Sequence, residues 1–392
     1  MRLSRTDRSL LTEWWFTVDR VLLTAVLMLV GAGAVLSLAA GPAVAIRKGL
    51  PTFYYVERHL LVTVVGLVLM FAVSLCSPRQ ARRLALALLL AMLGLMVAVL
   101  VSGPEINGAK RWLRIAGHSF QPSELAKPAF VVIAAWLFAE SGRRADVPAL
   151  PTAVALYLGL VSLVALQPDI GQALLITLVW GGLFFLSGQP LRLLALFCLF
   201  AVSAFAGLYA TFPHVRTRIA RFLDPSSGDT YQTDRAIESF TEGGFFGRGP
   251  GEGTIKGILP DAHTDFPFAV IGEEYGTVAC LALVALFAFV VFRALWHAWG
   301  EQDAFRRLAV TGLALLFALQ AAINMGVNVG LTPAKGMTLP FISSGGSSNL
   351  AAALLAGLLL SLTRRWPHAG RVKKPSFRTT TATMDLGEPE TR

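Results

Sequence analysis

The chain has 392 residues, of which 55% are hydrophobic and only 15% are charged. Its mean hydropathy of +0.61 excludes an ordinary soluble domain, because so apolar a chain would expose large apolar areas to water. We therefore predict an integral membrane protein. The net charge of +10 is then explained by membrane topology and contact with anionic lipid rather than by nucleic-acid binding.

Apolar segments long enough, or nearly so, to cross about 30 Å of hydrocarbon recur along the chain. They lie near residues 21–40, 60–76, 84–101, 126–139, 149–166, 170–187, 191–209, 267–292, 307–329 and 345–362. The pattern predicts an all-α membrane domain over 21–362 with about ten transmembrane helices. The fourth segment is short and the last two flank a Pro/Gly-rich piece, so a re-entrant segment is the alternative there.

The positions of Lys and Arg predict the orientation. Most basic residues of the short connections fall on the side of the N-terminus, which places both ends of the chain in the cytoplasm. The predicted cytoplasmic tails are 1–20, with an interfacial aromatic patch at Trp14, Trp15 and Phe16, and 363–392, whose composition is typical of disorder. Two longer connections, 102–125 and 210–266 between helices 7 and 8, are predicted to be periplasmic.

Chemistry is expected where ionisable side chains meet the membrane, because a charge inside it costs about 2.5–3.5 kcal/mol or more unless it is paired or hydrated. In GAKRWLRIAGHSFQPSELAKPAF (108–130), Glu124 and Lys127 lie one helical turn apart and can pair. In QPDIG (167–171), Asp169 precedes a helix, and simple N-capping is the alternative to a functional role.

The third such stretch is LPDAHTDFPFAVIGEEYG (259–276), which contains four acids and a histidine. Thr264 or Asp265 followed by Pro267 is also typical of an ordinary helix start. At 100° per residue, small residues occupy the helix face below Asp265; these are Ala269, Gly272 and Gly276. Such a face either lets another helix approach closely or leaves a groove for a lipid chain.

Glu273 and Glu274 cannot both face that groove, because they are neighbours in a helix. At least one of them is expected to pair with a basic group on another segment. The candidates on the same predicted side are Lys127, Arg216 and Arg218.

These stretches, with RIARFLDP, YQTDRAIESFTEGGFFGRG and GMTLPFISSGGSSNL, resemble the SEDS family (shape, elongation, division and sporulation) of polytopic membrane proteins. The resemblance follows the family's order over nearly the whole chain. The extended N-terminal segment and LPDAHTDF favour the cell-division branch over the elongation branch. Two positions depart from the family pattern: Pro267 replaces an aliphatic or aromatic residue, and Ser344 replaces a frequent tyrosine.

The resemblance implies a peptidoglycan glycosyltransferase that polymerises lipid II, the undecaprenyl-pyrophosphate-linked disaccharide, at the outer face of the bacterial inner membrane, at the division septum. Asp265 matches the family's essential aspartate and would be the general base. Arg111, Lys127, Arg216 or a divalent cation, Mg²⁺ or Mn²⁺, would steady the pyrophosphate. The other candidate substrate-binding residues are Trp112, Glu124, Asp169, Arg218, His263, Glu273 and Ser347.

The implied partners are a class B penicillin-binding protein with transpeptidase activity, other division proteins and membrane lipid, with no nucleic acid. Two alternatives belong to other functional classes. A lipid II flippase would need polar residues along a path through the bilayer. A non-catalytic scaffold for a transpeptidase would not explain carboxylates near the membrane interior.

Overall fold

The computed structural model describes residues 9–365 except for 106–107, 116, 145, 212–215, 218–219, 221–230 and 334–335. Arg218 and nearly all of the predicted C-terminal tail therefore lie outside the described residues. The described helices are α1 (Leu10–Thr17), α2 (Arg20–Arg47), α3 (Tyr54–Ser74), α4 (Pro78–Ser102), α5 (Pro122–Ser141), α6 (Ala149–Leu166), α7 (Ile170–Leu186), α8 (Leu191–Thr211), α9 (Tyr231–Gly243), α10 (Pro267–Trp299), α11 (Ala304–Asn328) and α12 (Gly346–Thr363).

The fold is a multi-pass helical membrane bundle, as predicted. Within the described residues, eight helices are long and apolar enough to cross a membrane: α2 to α6 and α10 to α12. The shorter apolar helices α7 and the first part of α8, Leu191–Ser203, lie where two further spans are predicted. The number of about ten crossings stays a prediction.

Several helix starts follow from local capping chemistry. Ser77 accepts a hydrogen bond from the Gln80 amide, the Gln80 side chain accepts one from the Ser77 amide, and Pro78 occupies the first turn of α4. Asp19 caps α2 in the same way by accepting the amides of Val21 and Leu22. Polar residues between apolar segments therefore set where these spans begin.

Helices α5 and α12 form the centre of the bundle. In each, 89% of the most apolar stretch is buried by the rest of the protein. Helix α12 packs on α3 and α5, α4 packs on α5, and α11 packs on both α5 and α10. The central helices are thus the ones that can hold polar side chains away from lipid.

Polar contacts show which helix ends lie together at each of the two ends of the bundle. At one end Asp19, at the start of α2, binds Arg293 and His297 near the end of α10. At the other end Arg47, at the close of α2, donates to the carbonyls of Gly257 and Leu259. This alternation agrees with the predicted topology, although which end faces the cytoplasm stays a prediction.

The two long connections contain structure that the sequence did not predict. In 102–125, strands β1 (Leu113–Ile115) and β2 (His118–Phe120) pair as an antiparallel hairpin. In 210–266, α9 packs against α10. Both elements are short and polar, so they lack the long apolar runs from which the spans are recognised.

The prediction that the aromatic residues near the N-terminus form an interfacial patch is wrong for Trp14. Trp14 lies in α1, is only 8% exposed, and donates through Nε1 to Ser74 Oγ at 2.9 Å. Its ring also packs edge-on against Phe71. A buried tryptophan normally satisfies its single donor in this way, and here it fastens the N-terminal segment to α3.

Candidate active site

Asp265 lies immediately before α10, and its backbone is held by two asparagines of α11. Asn324 and Asn328, one helical turn apart, donate their side-chain amides to the Asp265 carbonyl at 2.9 and 3.1 Å. Asn328 also accepts the Ala269 amide at 2.9 Å. Because both asparagines are buried, these bonds fix Asp265 against the bundle and leave its carboxyl group to point elsewhere.

The capping alternative for Asp265 is wrong. Phe266 occupies the N-cap of α10 and provides no side-chain hydrogen bond, while Pro267 is in the first turn. Proline needs no partner for a backbone N–H, so the unusual Pro267 suits the helix start without a capping acid. The Asp265 carboxylate is therefore not used to begin the helix.

The environment of Asp265 favours its protonated form. Burial and, to a smaller extent, the nearby charge of Asp261 raise the pKa of the half-buried carboxyl group to about 7, against a hydrogen bond from Thr264 that lowers it. A carboxylate with a pKa near neutrality can both accept and release a proton at physiological pH.

The segment 336–345 closes over Asp265. A β-carbon on Gly336 would lie 3.4 Å from Asp265 Oδ2, so the carboxylate rests against a residue without a side chain. Asn324 also donates to the Met337 carbonyl at 2.6 Å, and the Ser344 amide donates to the His263 carbonyl at 2.8 Å. The Ser344 contact uses only backbone, so it does not require the tyrosine frequent in the family.

His263 is buried on the other side of the same turn. Its ring lies 4.4 Å from the Tyr55 ring, between centroids. Burial lowers the pKa of His263 to about 4, helped by the positive charges of Lys48, Arg47 and Arg58 and opposed by Asp261. His263 is therefore neutral at physiological pH, and within the described residues its Nδ1 has no hydrogen-bond partner.

A second polar cluster is buried between α5, α7 and α11. As predicted, Glu124 and Lys127 form an ion pair, at 3.0 Å, and their side chains are only 5% and 2% exposed. Lys127 Nζ also donates to Gln172 at 2.7 Å and to Gln320 at 3.3 Å, while Gln172 donates to Glu124 at 2.6 Å. Both charged groups thus have an ionic partner and a hydrogen-bond partner, which a buried charged group requires.

Asp169 is a helix cap, as the alternative for it predicts, and it also lies near a basic side chain, while its functional role stays a prediction. It is the N-cap of α7 and accepts the Gln172 amide, and its carboxylate lies 3.7 Å from Arg111. Burial raises the pKa of Asp169, against the charge of Arg111. Arg111 also donates to the carbonyls of Gln167 and Pro168, so it joins the hairpin connection to the start of α7.

Two further predicted residues lie along the same edge. Ser347, in the first turn of α12, accepts the Gln121 amide at 2.9 Å and so holds the start of α5. Trp112 is half-buried beside the hairpin. The structure therefore brings Arg111, Glu124, Lys127, Asp169 and Ser347 into one connected neighbourhood.

Glu273 and Glu274 both have partners, but within the described residues these are neither Lys127 nor Arg216, and the third predicted partner, Arg218, lies outside them. Glu274 forms an ion pair with Lys256, and Glu273 accepts the backbone amides of Thr254, Ile255 and Lys256 at 2.5, 2.7 and 2.9 Å. Both glutamates thus bind the loop before Asp265. Glu273 is completely buried by these contacts, and its assignment to substrate binding stays a prediction.

Arg216 contacts neither Glu273 nor Glu274 among the described residues. It donates to the Ala210 carbonyl at 2.8 Å and lies over the Tyr209 ring, and its side chain is exposed. These local contacts do not support its predicted pairing with Glu273 or Glu274.

The small-residue face of α10 receives another helix rather than a lipid chain. A β-carbon on Gly243 of α9 would lie 1.9 Å from the Gly272 carbonyl oxygen, and one on Gly272 would lie 2.4 Å from the Phe240 ring. Gly276 has φ of 78° and breaks the helix there, so angular counting through it is wrong. Glycine permits both the close approach and the kink.

Residue-by-residue interpretation missed the polar residues of α11. Gln320, Asn324 and Asn328 recur every four residues within an apolar span, and all three face the candidate site. Polar side chains inside a predicted transmembrane helix are themselves a functional signal, and their four-residue spacing could have identified these residues from the sequence. Lys256 gave no comparable signal, because it lies in a loop.

The described residues contain no group of three or more His, Cys, Asp or Glu side chains arranged to hold a metal ion. A divalent cation that arrives with a pyrophosphate stays a prediction.

The fold and site define a class: multi-pass helical membrane proteins with a carboxylate of near-neutral pKa at one end of the bundle and a buried charged cluster beside it. The chain belongs to the FtsW/RodA/SpoVE family of cell cycle proteins, whose family model matches residues 20–367.

Similar proteins cover almost the whole chain. A probable peptidoglycan glycosyltransferase FtsW of Caulobacter vibrioides is 44% identical over 93% of this chain and 94% of its own length. The corresponding protein of Pseudomonas fluorescens is 35% identical over 88% of both chains.

Two solved structures share the fold. A chain from a peptidoglycan synthase complex that coordinates polymerization and crosslinking matches with a TM-score of 0.72 and 32% identity, over 88% of this chain and 97% of that one. The rod shape determining protein RodA of Thermus thermophilus matches with a TM-score of 0.65 and 29% identity, over 89% and 97%.

Proposed function

We propose that this protein is an inverting peptidoglycan glycosyltransferase that polymerises lipid II at the periplasmic face of the bacterial inner membrane during septal cell-wall synthesis. Family membership and the relatives named as probable peptidoglycan glycosyltransferases support the activity. The observation that carries the mechanism is the carboxyl group of Asp265, which is half-buried and has a pKa of about 7.

In the proposed reaction, the 4-hydroxyl oxygen of the acceptor sugar attacks C1 of the donor disaccharide. The new C1–O bond forms as the α-linked C1–O bond to pyrophosphate breaks on the opposite face, which gives a β-linkage. Asp265 takes the hydroxyl proton, and undecaprenyl pyrophosphate leaves with the bonding electrons. General base catalysis of this kind contributes about 10²–10⁴-fold.

The leaving pyrophosphate needs positive charge nearby. Arg111 is the predicted residue whose position best supports this role, because its side chain is 27% exposed and lies at the same end of the bundle. Lys127 is only 2% exposed and fully engaged. We therefore assign Lys127 and Glu124 to holding α5 against α7 and α11 instead of contacting the pyrophosphate directly.

The partner is proposed to be a class B penicillin-binding protein that crosslinks the glycan as it is made. The similarity to a chain from a synthase complex that couples polymerization to crosslinking supports this partnership. Lipid II is the proposed substrate of the polymerising step, and other division proteins would bring the pair to the septum.

The distribution of polar residues supports a polymerase over a flippase. Glu124 and Lys127 lie in the first two turns of α5, and Gln172 lies in the first turn of α7, while Gln320 and Asn324 are in the last turns of α11. Below them, α5 is apolar from Pro128 to Ala139. Among the described residues, these buried polar groups thus gather near one end rather than forming a path across the membrane.

The test is polymerisation of labelled lipid II by the purified protein in complex with its cognate transpeptidase. Asp265→Asn keeps the size of the side chain but removes the base, so glycan product should fall by about 10²–10⁴-fold while the complex still purifies. Asp261→Asn, on the exposed side of the turn, is the matched control and should retain most activity.

Each alternative gives a different result. A flippase would move lipid II between leaflets of vesicles without making polymer. A scaffold would bind the transpeptidase without polymer in any variant. Normal polymerisation by folded Asp265→Asn would reject Asp265 as the base.

A further inference from the structure

A pocket opens at the end of the bundle opposite Asp265. Its empty volume is about 980 Å³, and it lies between the close of α10, the start of α11 and the close of α12. Four arginines line it together with one glutamate; they are Arg293, Arg306, Arg364 and Arg365, with Glu301. The proposed glycosyl transfer uses none of these residues.

Arg293 is oriented into the pocket by a buried acid. Its Nε donates to Asp19 Oδ2 at 2.7 Å, and Asp19 is itself held by the amides of Val21 and Leu22. Within the described residues, the two terminal nitrogens of Arg293 make no hydrogen bond. A guanidinium fixed through Nε offers these two nitrogens together to a planar or tetrahedral anion.

The other arginines complete the basic wall. Arg306 is held by Glu301 at 2.9 Å and by the carbonyls of Leu362 and Arg364. Arg365 has an exposed side chain, and in the part of the chain that the structure describes that side chain makes no hydrogen bond or ion pair. The oriented guanidinium groups of Arg293 and Arg306 and the exposed side chain of Arg365 therefore surround the opening.

Aromatic side chains place this pocket at the level of the lipid headgroups. Trp296 lines the pocket and is 63% exposed, Trp299 three residues on is 92% exposed, and the Phe292 ring packs against Trp296. Exposed indole rings at the end of a transmembrane helix are typical of the membrane interface. Basic pockets between helices at that depth are suited to the phosphate of an anionic lipid.

We propose that this pocket binds the phosphate headgroup of an acidic phospholipid, in the leaflet that is cytoplasmic in the predicted orientation. Arg293 and Arg365 make the principal contacts with the phosphate, and Trp296 packs against the upper part of the acyl chains. The bound lipid links the C-terminal ends of α10 and α12 at the end of the bundle where α2 begins.

The test uses the full-length protein in neutral detergent with short-chain phosphatidylglycerol as the probe, phosphatidylcholine as the zwitterionic comparison, and native mass spectrometry as the readout. Phosphatidylglycerol should bind and raise Tm, while phosphatidylcholine should do neither. Since one basic residue near a lipid surface contributes about fivefold in affinity, Arg365→Gln should weaken binding about fivefold.

The matched control is Arg307→Gln, which removes an exposed arginine at the same end that does not line the pocket. It should leave binding within about twofold. Arg293→Gln should weaken binding more than Arg365→Gln, but it also disturbs Asp19, so the decision rests on Arg365 and Arg307.

Four results would overturn the proposal. They are equal binding of the two lipids, equal losses in Arg365→Gln and Arg307→Gln, displacement of the lipid by the same concentration of inorganic phosphate, and a gain in lipid affinity when the acids of the C-terminal tail are neutralised. The last result would make the tail the occupant; its acids are Asp385, Glu388 and Glu390.

Discussion

The buried ion pair between Glu124 and Lys127 is open to a quantitative test. Lys127→Met removes the charge while keeping most of the volume, and it leaves Glu124 with one donor, the Gln172 amide. Glu124→Gln leaves Lys127 with the oxygens of Gln172 and Gln320, at 2.7 and 3.3 Å. The structure therefore predicts unequal costs for the two halves of the pair.

Breaking a buried pair by removing one partner costs about 3–5 kcal/mol, because an uncompensated charge remains. We expect Lys127→Met to fall in this range, since the Glu124 side chain is only 5% exposed. Glu124→Gln should cost less, because the ammonium group keeps two amide oxygens. The double variant should be no less stable than Lys127→Met alone, because it leaves no unpaired charge.

The measurement is the free energy of unfolding in mixed micelles for the two single variants and the double variant, with lipid II polymerisation measured alongside. Helix α5 supplies a matched control at its other end, where half-buried Glu140 and exposed Arg144 form an ion pair at 3.2 Å. Glu140→Gln and Arg144→Met should each change stability by about 0–1 kcal/mol. Additive losses at Glu124 and Lys127, or losses no larger than those at Glu140 and Arg144, would refute this reasoning.

The remaining predictions concern four other features. Since the pKa of Asp265 rises from 3.8 to about 7 on folding, kcat/KM should rise about tenfold per pH unit up to neutrality and then level off. The free energy of unfolding should fall as pH rises between these two pKa values, so that Asp265→Asn raises Tm most above pH 7. A kcat/KM or a change in Tm that does not depend on pH would contradict this. Gly243→Ala, whose β-carbon would lie 1.9 Å from a backbone oxygen, should destabilise by roughly 1–3 kcal/mol, whereas Gly142→Ala, with 3.9 Å of clearance, should be neutral in the same unfolding assay. Asn324→Leu removes the donor to the Met337 carbonyl and leaves the Asp265 carbonyl with the Asn328 amide alone, so it should cost about 1–3 kcal/mol as well as polymerase activity; unchanged activity would argue against a role of Asn324 in positioning Asp265. In a cysteine-free background, an impermeant thiol reagent added from the periplasm should label single cysteines at Glu105→Cys and Glu252→Cys. It should not label those at Gly142→Cys and Gln302→Cys, and the reverse pattern would invert the topology.

The spans were predictable because each depends on a local property, a long apolar run, that no tertiary contact can replace in a membrane. The Glu124 and Lys127 pair was predictable for a similar reason, since spacing along one helix fixes their proximity. Asp265 was identified by resemblance and by its position, and its geometry agrees with a role other than helix capping. Each of these predictions depends on residues that lie close together in the sequence.

Contacts across long separations were not predictable in this way. Nothing in the sequence next to Glu274 indicates Lys256, and the two meet because the loop after α9 folds back onto α10. The small residues indicated either a close helix or a groove, and choosing between them required the position of α9. That helix is polar and lies within a long connection, so hydropathy gave no indication of it.

The four acids of residues 259–276 have different environments, and those environments decide what each can do. Glu273 and Glu274 are held by backbone amides and by Lys256, so they fasten the loop to α10. Asp261 is exposed, so its side chain faces water. Asp265 is the one acid here that is half-buried without a basic partner among the described residues, which is why its pKa approaches neutrality. A general base needs this combination of access and reluctance to ionise, and Glu273 and Glu274 support it indirectly, because they anchor the loop whose far end carries Asp265.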